Sequence, residues 1–116
     1  MSHSDAAREF HALHQKGLLI LPNAWDAGSA RLIEHAGAKA IATSSAAVAW
    51  SLGYPDGEAI PPEALLSTVR GISRVVSVPV SVDLEGGYAS SPQAAGAFAA
   101  RVVDVGAVGV NVEDGT

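Results

Sequence analysis

Short apolar runs alternate with amphipathic stretches along the whole chain. The runs predict four strands, at 18–21, 40–43, 78–82 and 108–112. The stretches between them predict helices over 5–15, 27–36, 44–52 and 61–76, and a last one that begins at 92 and stops at Gly106. Strands that alternate with helices of these lengths indicate an α/β fold with a parallel sheet and right-handed crossovers.

Capping residues and prolines mark where several of these helices begin. Ser4 and Asp26 stand ahead of the first and second helices and can accept hydrogen bonds from their first turns. Pro62 and Pro92 suit the first helical position, and Ser91 precedes the second of them as a cap. The local signals therefore agree with the hydrophobic pattern about where the helices start.

Two architectures are compatible with this order of elements. One is a small doubly wound sheet, which the chain length of 116 residues favours. The other is the front half of a (β/α)8 barrel, which normally takes about 250 residues. Spacing alone leaves the choice open.

Composition and charge narrow the class of protein. A net charge of −5 gives no reason to expect nucleic acid or an anionic membrane as a partner. The chain has no cysteine, which excludes disulfides and thiolate chemistry within it. No apolar run approaches the roughly 20 residues of a membrane helix. We expect one cytoplasmic, soluble domain.

Carboxylates collect at the predicted ends of the strands. Asp83 follows the third strand directly, Glu85 comes two residues later, and Glu113 follows the fourth strand. Asp56 lies in the long loop after the second strand. Parallel strands bring their carboxyl ends to one rim, where several carboxylates repel each other unless a cation neutralises them. Oxygen ligands favour a hard ion, Mg²⁺ or Mn²⁺.

Ordinary structural roles compete with these functional ones. Asp26 fits a helix cap, and Asp56 in Pro-Asp-Gly fits a β-turn. The four histidines lie away from the strand ends and are expected to be surface residues without chemistry. Asp83 and Glu85 are harder to explain structurally, because a carboxylate at the end of a buried strand needs compensation.

Four segments resemble motifs of the isocitrate lyase/phosphoenolpyruvate mutase superfamily. They are Leu21–Ala30, Ala42–Asp56, Val82–Tyr88 and Gly109–Asp114, and they stand in the order and spacing of that family. The resemblance implies a (β/α)8 TIM barrel, not a doubly wound sheet. Residues 1–116 would form one partial barrel domain, with an N-terminal helix and roughly the first four β/α units.

The same resemblance implies a role for each candidate site residue. Asp83 would ligate Mg²⁺ directly, while Glu85 and Glu113 would hold it mainly through bound waters. Asp56 would be an active-site acid. The substrate carboxylate would be bound by backbone N–H groups of Ser44, Ser45 and Ala46 and by the Ser44 hydroxyl. The implied activity is cleavage or formation of a C–C or P–C bond in small α-keto or 2-hydroxy carboxylates, through a metal-stabilised enolate.

The sequence departs from the family pattern at several points, and two alternatives to the implied activity stay open. The acidic motif reads Asp-Leu-Glu where many members have Asp-x-Asp, and Ala42 replaces a bulkier residue of the mutases. The first alternative is a non-catalytic half-barrel that retains weak Mg²⁺ binding and self-associates through its open edges. The second, ranked last, is a receiver-like domain with Asp83 as phosphoacceptor.

Overall fold

The computed structural model describes residues 2–114 as one parallel sheet covered by helices. The elements run α1 (His3–Leu13), β1 (Asn23–Ala24), α2 (Ala27–His35), β2 (Ile41–Thr43), α3 (Ser45–Ser51), α4 (Pro62–Val75), β3 (Val80–Asp83), α5 (Pro92–Asp104) and β4 (Gly109–Asn111). The α/β class and the alternation predicted from the pattern are both confirmed. No helix in the described range is long and apolar enough to cross a bilayer.

The strand order distinguishes the two candidate architectures. The four strands lie in the order β1-β2-β3-β4, and each neighbouring pair is parallel. A doubly wound sheet reverses direction at a switch point and so places its strands out of chain order. A sheet whose strands follow chain order is the arrangement of a (β/α)8 barrel. The doubly wound and receiver-like interpretations are therefore wrong.

One apolar core lies between the sheet and the helices on one of its faces. Ile41, Val80 and Val82 of the strands join one cluster with side chains of α2, α4 and α5. The helices also contact one another in chain order, α2 with α4 and α4 with α5. Helices that share one core with the sheet form the outer layer expected of a barrel wall.

The opposite face of the sheet carries smaller and more polar residues. Ser81 and Asp83 alternate with Val80 and Val82 along β3, so they point away from the helical layer. Ser81 pairs in register with Gly109, and a Cβ built on Gly109 would come within 2.5 Å of the Phe10 ring. Phe10 of α1 thus packs directly over β4 on the face where Asp83 lies.

The predicted bounds are corrected most at the first strand. The apolar run 18–21 was expected to be β1, whereas the strand forms at Asn23–Ala24. Leu18 and Ile20 are 88% and 69% exposed. The physical reason is register: β1 is an outer strand with one neighbour, and the short β2 pairs with it only at residues 23 and 24. The first helix is also capped by Ser2 and not by Ser4.

Candidate functional site

The candidate site lies at the rim where the parallel strands end. Thr43 is the last residue of β2 and Asp83 is the last residue of β3. The buried Thr43 hydroxyl accepts a hydrogen bond from the Asp83 backbone N–H at 3.1 Å. This contact fixes the end of β3 against the end of β2. Thr43 lies in the Ala42–Asp56 motif, but its bond to a residue 40 positions away is not visible in the sequence, and no role was predicted for it.

The acidic loop after β3, residues 83–88, is a tightly hydrogen-bonded turn. Leu84 is fully buried, and its N–H donates to the carbonyl of Asn111 in β4 at 2.9 Å. The Asp83 Oδ1 atom accepts from the Glu85 N–H, also at 2.9 Å. Glu85 has φ 51°, a left-handed conformation that costs free energy for a residue other than glycine. The loop is held in shape by its buried leucine and by these bonds.

The Glu85 carboxylate is the most connected acidic group of the site. Its Oε2 atom accepts from the Tyr88 hydroxyl at 3.1 Å and from the backbone N–H of Glu58 at 3.2 Å. Desolvation raises the pKa of Glu85 above its usual value, and the negative charges of Asp56 and Asp83 raise it further. The two hydrogen bonds offset part of this rise. Asp56 and Asp83 therefore lie close enough to Glu85 for their charges to act on it.

Tyr88 remains a hydrogen-bond donor to this carboxylate. Burial and the neighbouring Glu85 charge raise the pKa of the Tyr88 phenol well above its usual value. Its ring packs against Phe98 of α5, with a centroid separation of 5.3 Å. The phenol is consequently anchored in the core at one end and bonded to the acidic loop at the other.

The loop after α3 brings Asp56 and Glu58 toward the acidic loop. Asp56 lies in a turn, as its local sequence predicts, and its Oδ1 accepts from the Gly57 N–H at 2.9 Å. The Glu58 Oε2 atom accepts from the Gly86 N–H at 2.7 Å. Sequence reasoning missed Glu58, since nothing in its neighbourhood indicates a bond to a residue 28 positions away.

Ser44 caps the short helix that follows β2. Its hydroxyl accepts from the Ala47 N–H at 3.3 Å, and its own N–H donates to the carbonyl of Ala24 at 3.4 Å. Ser45 and Ala46 form the first turn of α3, where an α-helix leaves its N–H groups without intrahelical partners. The geometry thus leaves the backbone of Ser45 and Ala46 able to donate to an anion. The Ser44 N–H, predicted as a third donor, is already bonded to Ala24, and the Ser44 hydroxyl already caps the helix.

Glu113 approaches the acidic loop through its backbone. Its N–H donates to the Glu85 carbonyl at 2.6 Å, while the residue itself is exposed. Across residues 2–114, no three aspartate, glutamate or histidine side chains are placed so that they could hold one metal ion. The backbones of Asp83, Glu85 and Glu113 are brought together, but their carboxylates do not share a common centre. The ligand roles of these three residues stay predictions.

Comparison with known proteins identifies the family of this chain. Residues 10–116 match the family model described as phosphoenolpyruvate phosphomutase. The chain therefore belongs to the phosphoenolpyruvate phosphomutase family, as the four sequence motifs predicted.

Individual relatives agree with this membership. The chain is 38% identical to an uncharacterized protein of Mycobacterium tuberculosis over 106 residues, which are 90% of this chain and 40% of that one. It is 33% identical to the 2-methylisocitrate lyase of Escherichia coli over 104 residues, or 89% of this chain and 35% of that enzyme.

Solved structures give the same result. A Burkholderia cenocepacia protein named as a candidate lyase/mutase superposes with a TM-score of 0.92 at 40% identity, covering 98% of this chain and 41% of that one. The phosphoenolpyruvate phosphomutase of Streptomyces platensis gives a TM-score of 0.86 at 27% identity, covering 94% and 38%. The chain thus spans about 40% of the length of the relatives it matches.

Proposed function

We propose that this chain supplies the metal- and carboxylate-binding part of a Mg²⁺-dependent lyase or phosphonomutase. Its substrates would be small α-keto or 2-hydroxy carboxylates. The observation that carries the proposal is the placement of Asp83 and Glu85 on one hydrogen-bonded loop at the rim of the sheet. Desolvation there raises the pKa of Glu85, and the charges of Asp56 and Asp83 add a smaller rise. Family membership supports the same class of chemistry.

The donor set suits a hard divalent cation. The acidic groups of the rim are all carboxylates, and cysteine is absent from the sequence. A cation there would relieve the repulsion that acts on Glu85. Asp83 is the proposed direct ligand, with Glu85 and Glu113 acting through water. A bound Mg²⁺ supplies Lewis-acid stabilisation of the negative charge that develops when a C–C or P–C bond breaks.

The protein groups around the ion would orient the substrate. The N–H groups of Ser45 and Ala46, which have no intrahelical partners, would bind the substrate carboxylate at the start of α3. Because the Ser44 hydroxyl accepts from Ala47, it could still donate its own proton to the same carboxylate. Asp56, on the opposite loop, is the proposed acid of the site.

Calorimetric titration with oxalate tests this proposal. Oxalate offers two carboxylate oxygens to one cation and has no bond to be broken, so it probes binding alone. We expect oxalate to bind in the presence of Mg²⁺ and not in the presence of EDTA. Equal binding with and without Mg²⁺, or none in either case, would contradict a metal-assisted carboxylate site. Turnover is then assayed with 2-methylisocitrate and phosphoenolpyruvate, the compounds for which the relatives are named.

A non-catalytic half-barrel is the second candidate. It is favoured by the finding that the side chains of residues 2–114 form no three-ligand group for a metal. Exposed apolar side chains near the two outer strands, Leu18 and Ile20 beside β1 and Val112 beside β4, would support self-association of such a form. Mg²⁺-dependent oxalate binding without turnover, in a chain that elutes as an oligomer from size-exclusion chromatography, would indicate this candidate.

A further inference from the structure

Two loops of the rim are joined by a reciprocal pair of hydrogen bonds centred on Glu58. The Glu58 side chain accepts from the backbone N–H of Gly86 at 2.7 Å. The Glu58 backbone N–H donates to the side chain of Glu85 at 3.2 Å. We call these two bonds the loop clasp. The clasp connects the loop that carries Asp56 to the loop that carries Asp83 and Glu85.

The backbone on both sides of the clasp adopts conformations that side chains ordinarily avoid. Glu58, Glu85 and Tyr88 have φ values of 64°, 51° and 56°. Such left-handed residues are uncommon outside glycine and persist where the surrounding structure holds them. The hydrogen bonds among these three residues and Gly86 hold this backbone in place, together with the buried Leu84 and the bond from the Glu85 N–H to Asp83.

Gly86 is itself fitted to the Glu58 carboxylate. A Cβ atom built on Gly86 would lie 2.8 Å from the Glu58 Oε2 atom. Since that oxygen is the end of a flexible side chain, a methyl group at position 86 would displace the carboxylate and leave the main chain in place. The close approach gives a second, independent way to break the same contact.

We propose that Glu58 is a positioning residue for the acidic site. By binding the Gly86 N–H it holds residues 83–88 in the turn that carries Asp83 and Glu85, and it ties this turn to the loop that carries Asp56. Glu58 is not assigned as a ligand. The inference deepens the proposed function, because its effect on a cation depends on the metal site proposed above.

Removal of the Glu58 carboxylate tests the clasp with Mn²⁺ as the probe. Glu58→Ala keeps the backbone N–H to Glu85 and removes only the bond to Gly86. Partners that orient metal ligands typically contribute about 10- to 100-fold in affinity, so we expect Mn²⁺ binding, followed by electron paramagnetic resonance, to weaken about 10-fold. Glu58→Gln retains an acceptor oxygen and should restore most of the affinity. Glu9→Ala, at an exposed glutamate of α1, is the matched control and should change nothing.

A second variant tests whether the effect comes from the contact between Glu58 and Gly86. Gly86→Ala should weaken Mn²⁺ binding as Glu58→Ala does, and the double variant should be no worse than either single one. Gly96→Ala is its control, because a Cβ at Gly96 meets nothing within 4 Å. The positioning role would be overturned if the Glu58→Ala variant bound Mn²⁺ within twofold of the parent chain, or if the losses of affinity added in the double variant. It would also be overturned if Glu58→Gln bound Mn²⁺ as weakly as Glu58→Ala.

Amide exchange in EDTA separates this inference from the proposed function. In Glu58→Ala the Gly86 N–H loses its acceptor, so its hydrogen exchange should become about threefold faster or more. If the parent chain binds no Mn²⁺, the metal proposal fails, and Glu58 as its positioning residue fails with it. Faster Gly86 exchange would then retain the loop clasp as a structural contact only. Unchanged exchange would overturn the clasp whatever the metal result.

Discussion

Leu84 is the buried residue on which the position of the two site carboxylates depends. It lies between Asp83 and Glu85, has no exposed surface, and belongs to the core cluster. Its N–H also donates to Asn111 of β4. Leu84→Ala should therefore destabilise the whole chain and loosen the acidic loop with it.

The expected loss follows from the burial of this side chain. The substitution removes three fully buried carbons, which at about 0.8 kcal/mol each cost about 2.4 kcal/mol in transfer free energy. An unfilled cavity adds to this, and measured Leu→Ala changes in cores run from about 2 to 5 kcal/mol. We expect the free energy of unfolding to fall by about 3–4 kcal/mol.

Urea unfolding followed by circular dichroism measures this loss. Leu32→Ala is the control, because Leu32 is 72% exposed and its removal should change the free energy of unfolding by no more than about 0.5 kcal/mol. If Leu84→Ala does not fold, the smaller change Leu84→Val should still show a loss larger than that of the control. Equal losses at positions 84 and 32 would refute the claim that Leu84 anchors the acidic loop.

Two further predictions concern backbone fit and pH. Gly106→Ala should lower the free energy of unfolding by about 2–4 kcal/mol in a denaturant titration, because Gly106 has φ 128° and a Cβ there would lie 2.4 Å from the Ser73 Oγ atom; a loss below about 1 kcal/mol would contradict this. In EDTA, Glu85→Gln should unfold at a higher temperature than the parent chain at pH 7. Folding raises the pKa of Glu85, so its contribution to stability is present below the unfolded pKa and is lost as pH rises through the folded pKa. The free energy of unfolding of the glutamine variant should exceed that of the parent chain by less than about 1 kcal/mol, since Glu85 is partly solvated. This difference should vanish below about pH 4. A constant difference in thermal scans from pH 4 to 8 would contradict it.

Local signals in the sequence predicted the helices, whose hydrogen bonds join residues that are close in the chain. Asp26 and Ser91 cap α2 and α5 as expected, and their side chains accept from the N–H groups of Ser29 and Ala94. These bonds span three residues, so the residues that form them stand together in the sequence. Apolar runs placed the last three strands to within two residues, whereas pairing and not hydrophobicity set the bounds of β1.

The candidate site was predicted only in part, because its geometry depends on distant contacts. The pattern placed Asp83 and Glu85 at the end of β3, and both lie there. The contacts of Thr43 with Asp83 and of Glu58 with Gly86 join residues 40 and 28 positions apart, which periodicity cannot detect. The left-handed backbone at Glu85 was also unforeseen, since neighbouring glycines ordinarily take that conformation.

Divalent-cation binding at Asp83 is the central claim, and a Mn²⁺ titration monitored by electron paramagnetic resonance tests it most directly. Asp83→Asn is compared with Asp104→Asn, the same change at an exposed residue that ends α5. The account predicts that the parent chain and Asp104→Asn bind Mn²⁺ equally, that Mg²⁺ competes, and that Asp83→Asn weakens binding by at least about 10-fold. Equal affinity in the two variants, or no binding by the parent chain, would contradict it.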